Sequence, residues 1–313
     1  MTCSRHGLRA AFGVSYAADL QGYSAGAMPL SLHHELVTAP DVPAPTRSLL
    51  FLHGILGAGV NLRSLARRLV ALRPHWQGVL VDLRAHGGSL ENEGPDSVAS
   101  AAEDVAALAA SLAIPARGVI AHSFGGKVAL QLAAKMQLSH VALIDSAPGT
   151  RLDDSGSDVT LRVISLLDTL TSLAWPSREA FVKALVDRGQ ARGVAQWLAM
   201  NVQLRDGHYR FALEMPRIHA LLDSYASVDL WPVLETPGDT KFHLIIGDRS
   251  KTYDAGERAR ASALAAASNG RITVDVLPAG HWVHVDDFEG LLRVLVKRFA
   301  AEGPQVAVSA AFV

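Results

Sequence analysis

Six short runs rich in Val, Ile and Leu punctuate the chain, at Leu49–His53, Val79–Asp82, Val119–His122, Val141–Asp145, Phe242–Gly247 and Ile272–Leu277. Runs this short and apolar fit strands buried on both faces, and the longer segments of helical period between them supply the crossovers that parallel strands require. The chain is therefore predicted to be α/β, a mostly parallel central sheet flanked by helices, with an edge strand near Ser31–Val37. The clearest helices are expected at Asn61–Arg73, Val98–Leu112, Gly125–Met136, Glu257–Ala267 and Phe288–Phe299. Between Pro148 and about Pro237 the alternation stops. Helical segments follow one another there, at Leu161–Leu173, Arg178–Arg188, Val194–Leu204 and Ile218–Tyr225, which reads as an inserted helical cap. The expected division is a core of residues 28–149 and 233–300, a cap over 150–232 and a tail over 301–313.

A chain of 313 residues that is 49% hydrophobic and 19% charged can bury a core of that kind. Lys and Arg number 29 against 30 for Asp and Glu, so no broad basic field exists to hold nucleic acid, and a small molecule is the expected partner. The lone cysteine, Cys3, excludes an intramolecular disulfide and a multi-cysteine metal site. No apolar run reaches the roughly 20 residues of a membrane span. Residues 1–27 carry Arg5, His6 and Arg9 and no acid before Asp19, a composition shared with organelle transit peptides. Met28 begins MPLSLHHELV, a natural start, so the favoured expectation is a disordered extension and a cytoplasmic protein, with an organelle as the alternative.

Ligands of open α/β sheets bind outside the carboxyl ends of the strands. His53, Ser123, Asp145 and Asp248 all stand at or just after such ends. In Ala121, His122, Ser123, Phe124, Gly125, Gly126 the serine falls between a buried strand and a helix, with small residues two before and two after it. A strained strand-to-helix turn needs that spacing, and it aims helix N–H groups and the positive end of a dipole at any anion formed on the serine. A serine that merely caps a helix is the plainer alternative.

A tetrahedral intermediate needs two fixed N–H donors. One is expected from Phe124, the residue after the serine, and the other from Ile55 in the loop His53, Gly54, Ile55, Leu56, Gly57. His53 is read as a brace for that loop rather than a proton carrier. The same loop with Asp82 at the end of the next strand outlines a dinucleotide site, but Gly54, Gly57 and Gly59 give G-x-x-G-x-G, the reverse of the required order. No cofactor is expected.

His281, in Ala279, Gly280, His281, Trp282, Val283, His284, follows the last strand and can serve as the general base. His284 and Asp286 are poor ligand spacing for a metal, and His284 is expected to pack or lie at the surface. Two carboxylates can orient the base, Asp145 after the run VALI and Asp248 after Gly247, and both give the order Ser, Asp, His.

The segments FLHGILGAGVNLRSLARRL, VDLRAHGGS, AHSFGGKVAL and AGHWVH, taken in order, resemble the esterase branch of the α/β-hydrolase superfamily, which holds small bacterial acyl esterases and mitochondrial abhydrolase-domain proteins. The likeness runs from about Leu49 to Phe299. In most of that superfamily the acid stands three residues after the glycine ending the penultimate strand, and here that position is Ser250. The chain is similar instead to the branch with the acid at the end of the preceding strand, which favours Asp145 over Asp248.

The resemblance implies an α/β-hydrolase fold and a serine esterase or thioesterase acting on short to medium acyl groups. Ser123, His281 and Asp145 would carry the reaction, with Ile55 and Phe124 as the oxyanion hole and no cofactor or metal. Dehalogenases and epoxide hydrolases of this fold place Asp at the elbow, so Ser123 argues against both. A C–C hydrolase, a perhydrolase, an acyltransferase or a slow-turnover ligand receptor on the same scaffold remains an alternative. Apolar cap residues such as Trp175, Phe181, Trp197, Met200, Tyr225 and Trp231 are expected mostly to pack, with some lining an acyl pocket.

Overall fold

The computed structural model describes residues 31–40, 44–151 and 158–300; the extension and tail expected at either end lie outside them. The described residues form a seven-stranded sheet in the order β1-β3-β2-β4-β5-β8-β9. Its strands are β1 (His34–Val37), β2 (Arg47–Leu52), β3 (Trp76–Val81), β4 (Ala116–His122), β5 (His140–Ile144), β8 (Lys241–Gly247) and β9 (Ile272–Leu277). Only the β1 pairing with β3 is antiparallel. This is the α/β-hydrolase fold, with the expected edge strand reduced to His34–Val37.

Side chains alternate across each strand, so one strand feeds two cores. On β2, Leu50 and Leu52 join one apolar cluster while Leu49 and Phe51 join the other. The second cluster takes Leu65 and Leu69 of α1 (Arg63–Leu72) and Leu291 and Leu295 of α10 (Phe288–Arg298). The first takes Val105 and Leu108 of α2 (Val98–Ser111), Val128 and Leu132 of α3 (Phe124–Ala133) and Ala261 of α9 (Ala255–Ala267). Ser97 caps α2 by accepting from the Ser100 N–H, and Asp254 with Glu257 forms a capping box on α9, which fixes where both helices start.

Between β5 and β8 lie α4 (Asp158–Leu170), α5 (Arg178–Val186), α6 (Arg192–Leu198), a hairpin of β6 (Val202–Arg205) and β7 (His208–Phe211), α7 (Met215–Ser227) and α8 (Trp231–Glu235). The hairpin departs from the all-helical expectation. Its turn is Asp206-Gly207, with φ of 51° and 76°, the left-handed pair that a two-residue hairpin favours. Leu170, Phe181, Phe211, Met215 and Trp231 of this insertion are buried in the first core cluster.

The two ends of the insertion are tied to each other and to α3. Arg151 N–H donates to Ala226 O at 2.7 Å and Leu230 N–H to Pro148 O at 2.9 Å. Lys127, fully buried on α3, spends its three donors on Gly149 O (2.7 Å), Tyr225 O (2.6 Å) and Val228 O (3.0 Å), and its Nζ lies 4.3 Å from the Tyr225 ring. Burial, aided by Arg151, pushes the Lys127 ammonium down to about 7. Among the described residues no helix is long and apolar enough to cross a membrane.

Candidate active site

Ser123, between β4 and α3, has φ 52° and ψ −118°, a conformation that costs an L residue energy and that the surrounding packing must enforce. Ala121 is fully buried in β4. A Cβ at Gly125 would stand 2.6 Å from the His53 carbonyl, so only glycine lets α3 approach β2 this closely. Ser146 Oγ–H donates to the Ser123 carbonyl at 2.6 Å and holds the turn from its other side.

His281, after β9, brings Nε2 to 3.0 Å from Ser123 Oγ and Nδ1 to 2.7 Å from Asp145 Oδ2. With Nδ1–H donated to the carboxylate, Nε2 is the free lone pair that can accept the serine proton. Thr252 Oγ1 lies 3.0 Å from the same Nδ1. Asp145 is fully buried at φ 45°, which turns its side chain under His281. Its other contacts are the Gly247 N–H on Oδ1 at 3.1 Å and the Ser250 hydroxyl, which donates to Oδ2. Ser250, at the superfamily's usual acid position, is thus a hydrogen-bond donor to Asp145. Asp248 points away, half-exposed and beside Arg249 at 3.5 Å. The structure therefore brings together Ser123, His281 and Asp145, and leaves Asp248 outside.

The Ile55 N–H is aimed by its own peptide. The Gly54 carbonyl of that unit accepts from His53 Nδ1–H at 2.8 Å and Gly57 N–H at 3.0 Å, so the Ile55 N–H, trans to it, is fixed without an acceptor among the described residues. The next two peptides are also held, because Leu56 N–H donates to His86 Nε2 at 3.1 Å and Leu56 O accepts from Asn201 Nδ2 at 2.8 Å. These bonds sustain φ 62° at Leu56, a residue with no intrinsic taste for it. The Phe124 N–H is the first of α3 and has no intrahelical acceptor.

Three further histidines brace the site, and spacing in the sequence signals only His53. His53 Nε2 accepts the Leu83 N–H at 3.0 Å, and His86 Nδ1–H donates to Arg84 O at 2.8 Å. His122 Nε2–H donates to the His281 carbonyl at 2.9 Å, which ties the residue before the serine to the loop that carries His281. Burial lowers the pKa of all three, with His86 at about 3 and His122 well below the ordinary imidazole value. His284, expected to pack or face solvent, packs edge-on against His122 with centroids 4.8 Å apart and also lines the cleft; burial and then the charge of His281 push it to about 4.

The cleft over Ser123 draws Thr160, Val163, Val194 and Trp197 from the insertion. Among the described residues its wall contains no Lys, Arg, Asp or Glu. No group of three His, Cys, Asp or Glu is arranged to hold a metal among them either.

The sequence profile of the alpha/beta hydrolase family matches residues 49–294. The chain belongs to that family. This family member is 24% identical to the mouse sn-1-specific diacylglycerol lipase ABHD11, over 82% of this chain and 81% of that one. It is 28% identical to Esterase YbfF of Escherichia coli, over 79% of this chain and 91% of that one. Among solved structures, a marine microorganism esterase superposes with a TM-score of 0.68 at 20% identity, covering 86% of this chain and 99% of its own. E-2-(acetamidomethylene)succinate hydrolase does so with 0.68 at 22%, covering 86% and 95%. These structural likenesses show the shared fold.

Proposed function

We propose that this hydrolase cleaves carboxylic ester or thioester bonds of small, uncharged, apolar acyl substrates through an acyl-enzyme on Ser123. The observation that carries the reading is the unbroken series Ser123 Oγ, His281 Nε2, His281 Nδ1, Asp145 Oδ2, in the same cleft as Ile55, whose N–H has no acceptor among the described residues. Ser123 Oγ attacks the carbonyl carbon as its proton passes to His281 Nε2, and the oxyanion is held by the Ile55 and Phe124 N–H groups. His281 then protonates the leaving oxygen or sulfur, and the tetrahedral intermediate collapses to the acyl-enzyme. Water, deprotonated by His281, attacks the acyl carbon and releases the acid and Ser123. Asp145 keeps Nδ1 protonated and stabilises the imidazolium in both halves.

The wall chemistry supports the choice of substrate. With no Lys, Arg, Asp or Glu among the described residues of the cleft wall and with His53, His122 and His284 held neutral by burial, a carboxylate or ammonium on the acyl chain would lose its hydration without gaining a partner there. The esterase and lipase names of the relatives agree with an acyl substrate. The insertion serves in this reading as a cap that shields the acyl-enzyme from bulk water.

The test is hydrolysis of a chain-length series of p-nitrophenyl acyl esters, with Ser123→Ala as control. Rapid wild-type turnover abolished by Ser123→Ala upholds the reading. Folded wild type that turns over no chain length rejects it and favours ligand binding without chemistry.

A further inference from the structure

A second cleft adjoins the one over Ser123, and the two share Leu56, Gly57, Asn61 and Trp197. Three of these four are fixed. Leu56 is locked through both of its peptide groups, and a Cβ at Gly57 would stand 2.9 Å from the Gly54 carbonyl. Asn61 Oδ1 accepts the Ala58 N–H at 2.7 Å. Trp197 alone comes from the insertion. It is half-buried on α6, with its ring 6.1 Å from that of Trp282, the neighbour of His281. Beyond it the second cleft is lined by Val60, Met200, Ala212 and Leu213, together with the amides of Asn201 and Gln203.

We infer that Trp197 is the partition between a short acyl pocket and this second cleft, and that the second cleft is a subsite for the distal part of a longer uncharged acyl chain. The inference rests on the ester-hydrolase reading above. The direction follows from the chemistry. His281 must protonate the leaving group, so the leaving group lies on the His281 side of Ser123. The second cleft has no wall in common with His281 or Trp282 and is reached along Leu56 and Gly57, the oxyanion-loop side. A chain running that way is therefore the acyl chain. The indole ring interrupts its path, and the apolar side chains past the indole are suited to methylenes.

Two measurements test this. In the first, kcat/KM is read from acetyl to dodecanoyl p-nitrophenyl esters for wild type, Trp197→Ala and Trp197→Phe. The long-chain to short-chain ratio should rise at least about tenfold in Trp197→Ala, the yield of a few newly buried methylenes, and less in Trp197→Phe. In the second, ethyl hexanoate and ethyl dodecanoate are titrated into Ser123→Ala and Ser123→Ala/Trp197→Ala, and the ratio of their Kd values should shift in the same sense. If the wild type shows no Ser123-dependent turnover but the binding ratio shifts, the esterase reading fails and the partition stands. If the binding ratio is the same with and without the indole, the partition is wrong whatever the turnover. Should Trp197→Ala fail to fold, Trp197→Phe decides both measurements by the sign of its shift.

Discussion

His53 and His86 hold each other's loops. His53, on the loop after β2, accepts the Leu83 N–H from the loop after β3, and His86, on that second loop, accepts the Leu56 N–H from the first. Their rings meet edge-on at 5.0 Å. Each ring donates its Nδ1–H to a nearby carbonyl, which leaves Nε2 as an acceptor only in the neutral form. His86→Phe would leave the Leu56 N–H orphaned and free the peptide next to the proposed Ile55 donor. Losing an oxyanion donor outright costs about 10²–10³ in kcat, so misaiming one is expected to lower kcat about tenfold or more with little change in KM. His86→Gln, which can still accept, should recover part of it. A KM effect without a kcat effect would show that the clasp does not position the donor.

Asp145 and Asp248 separate cleanly under substitution if the proposed roles hold. Asp145→Asn should lower kcat about 10⁴-fold, because an amide at Oδ2 favours the wrong tautomer of His281. Asp248→Asn changes a half-exposed group beside Arg249 and should stay within about twofold of wild type. Ser250 touches Asp145 Oδ2 and is hydrogen-bonded to Thr252, which in turn reaches His281 Nδ1. Asp145→Asn/Ser250→Asp should therefore regain at least about tenfold over Asp145→Asn alone, by offering a carboxylate from the neighbouring strand end. Equal losses in the Asp145 and Asp248 variants would remove Asp145 from its assigned role.

The strands and the local motifs were legible because their signals are short-range. Apolar runs gave the strands, and small residues at Ala121 and Gly125 marked the turn that carries Ser123. Standing at a strand end did not separate Asp145 from Asp248, and only the resemblance, through Ser250 at the usual acid position, favoured Asp145. The difference lies in a backbone φ of 45° at Asp145 and in burial, neither of which has a sequence signature. His86, Asn201, Lys127 and Thr252 were illegible as site or hinge residues because their partners are distant in sequence, as far as the 145 residues between Asn201 and Leu56. The β6–β7 hairpin is a different case. Asp206-Gly207 between two four-residue strands was an available hairpin signal, outweighed by the helical period of the residues before it.

Lys127 joins α3 to both ends of the insertion, so Lys127→Met should loosen that junction. The variant keeps the apolar stem but strips the donors from three carbonyls, two of them at the C-terminal end of α7 where a cation is favoured. Leaving buried acceptors unpaired is expected to cost about 3 kcal/mol, read as a lower urea midpoint. Hydrogen exchange should quicken at Arg151 and Leu230, whose amides pair across the junction. An unchanged midpoint and unchanged exchange would mean that the pairing of the two ends is sufficient without the lysine.

Acid should unfold this protein earlier than its near-neutral charge balance implies. His86 and His243 are buried with pKa values lowered to about 3, and His284 to about 4, in each case chiefly by burial. His243 contacts His140 Nδ1 at 3.1 Å and Thr273 Oγ1 at 2.9 Å within the sheet, far from the cleft. In the unfolded chain these imidazoles titrate near 6.5, so between 6.5 and about 3 the unfolded state binds more protons than the native state. Stability from these groups is complete above pH 6.5 and falls as the pH drops through that window. Each of the two most shifted histidines contributes about 1.4 kcal/mol per pH unit there. Against a total stability of about 5–15 kcal/mol, that slope predicts cooperative unfolding around pH 4, measured as the urea midpoint against pH. His243→Gln cannot bind the proton, and its midpoint should fall less steeply with acid than the wild-type midpoint. Parallel slopes for the two proteins would show that His243 is already protonated in the native state.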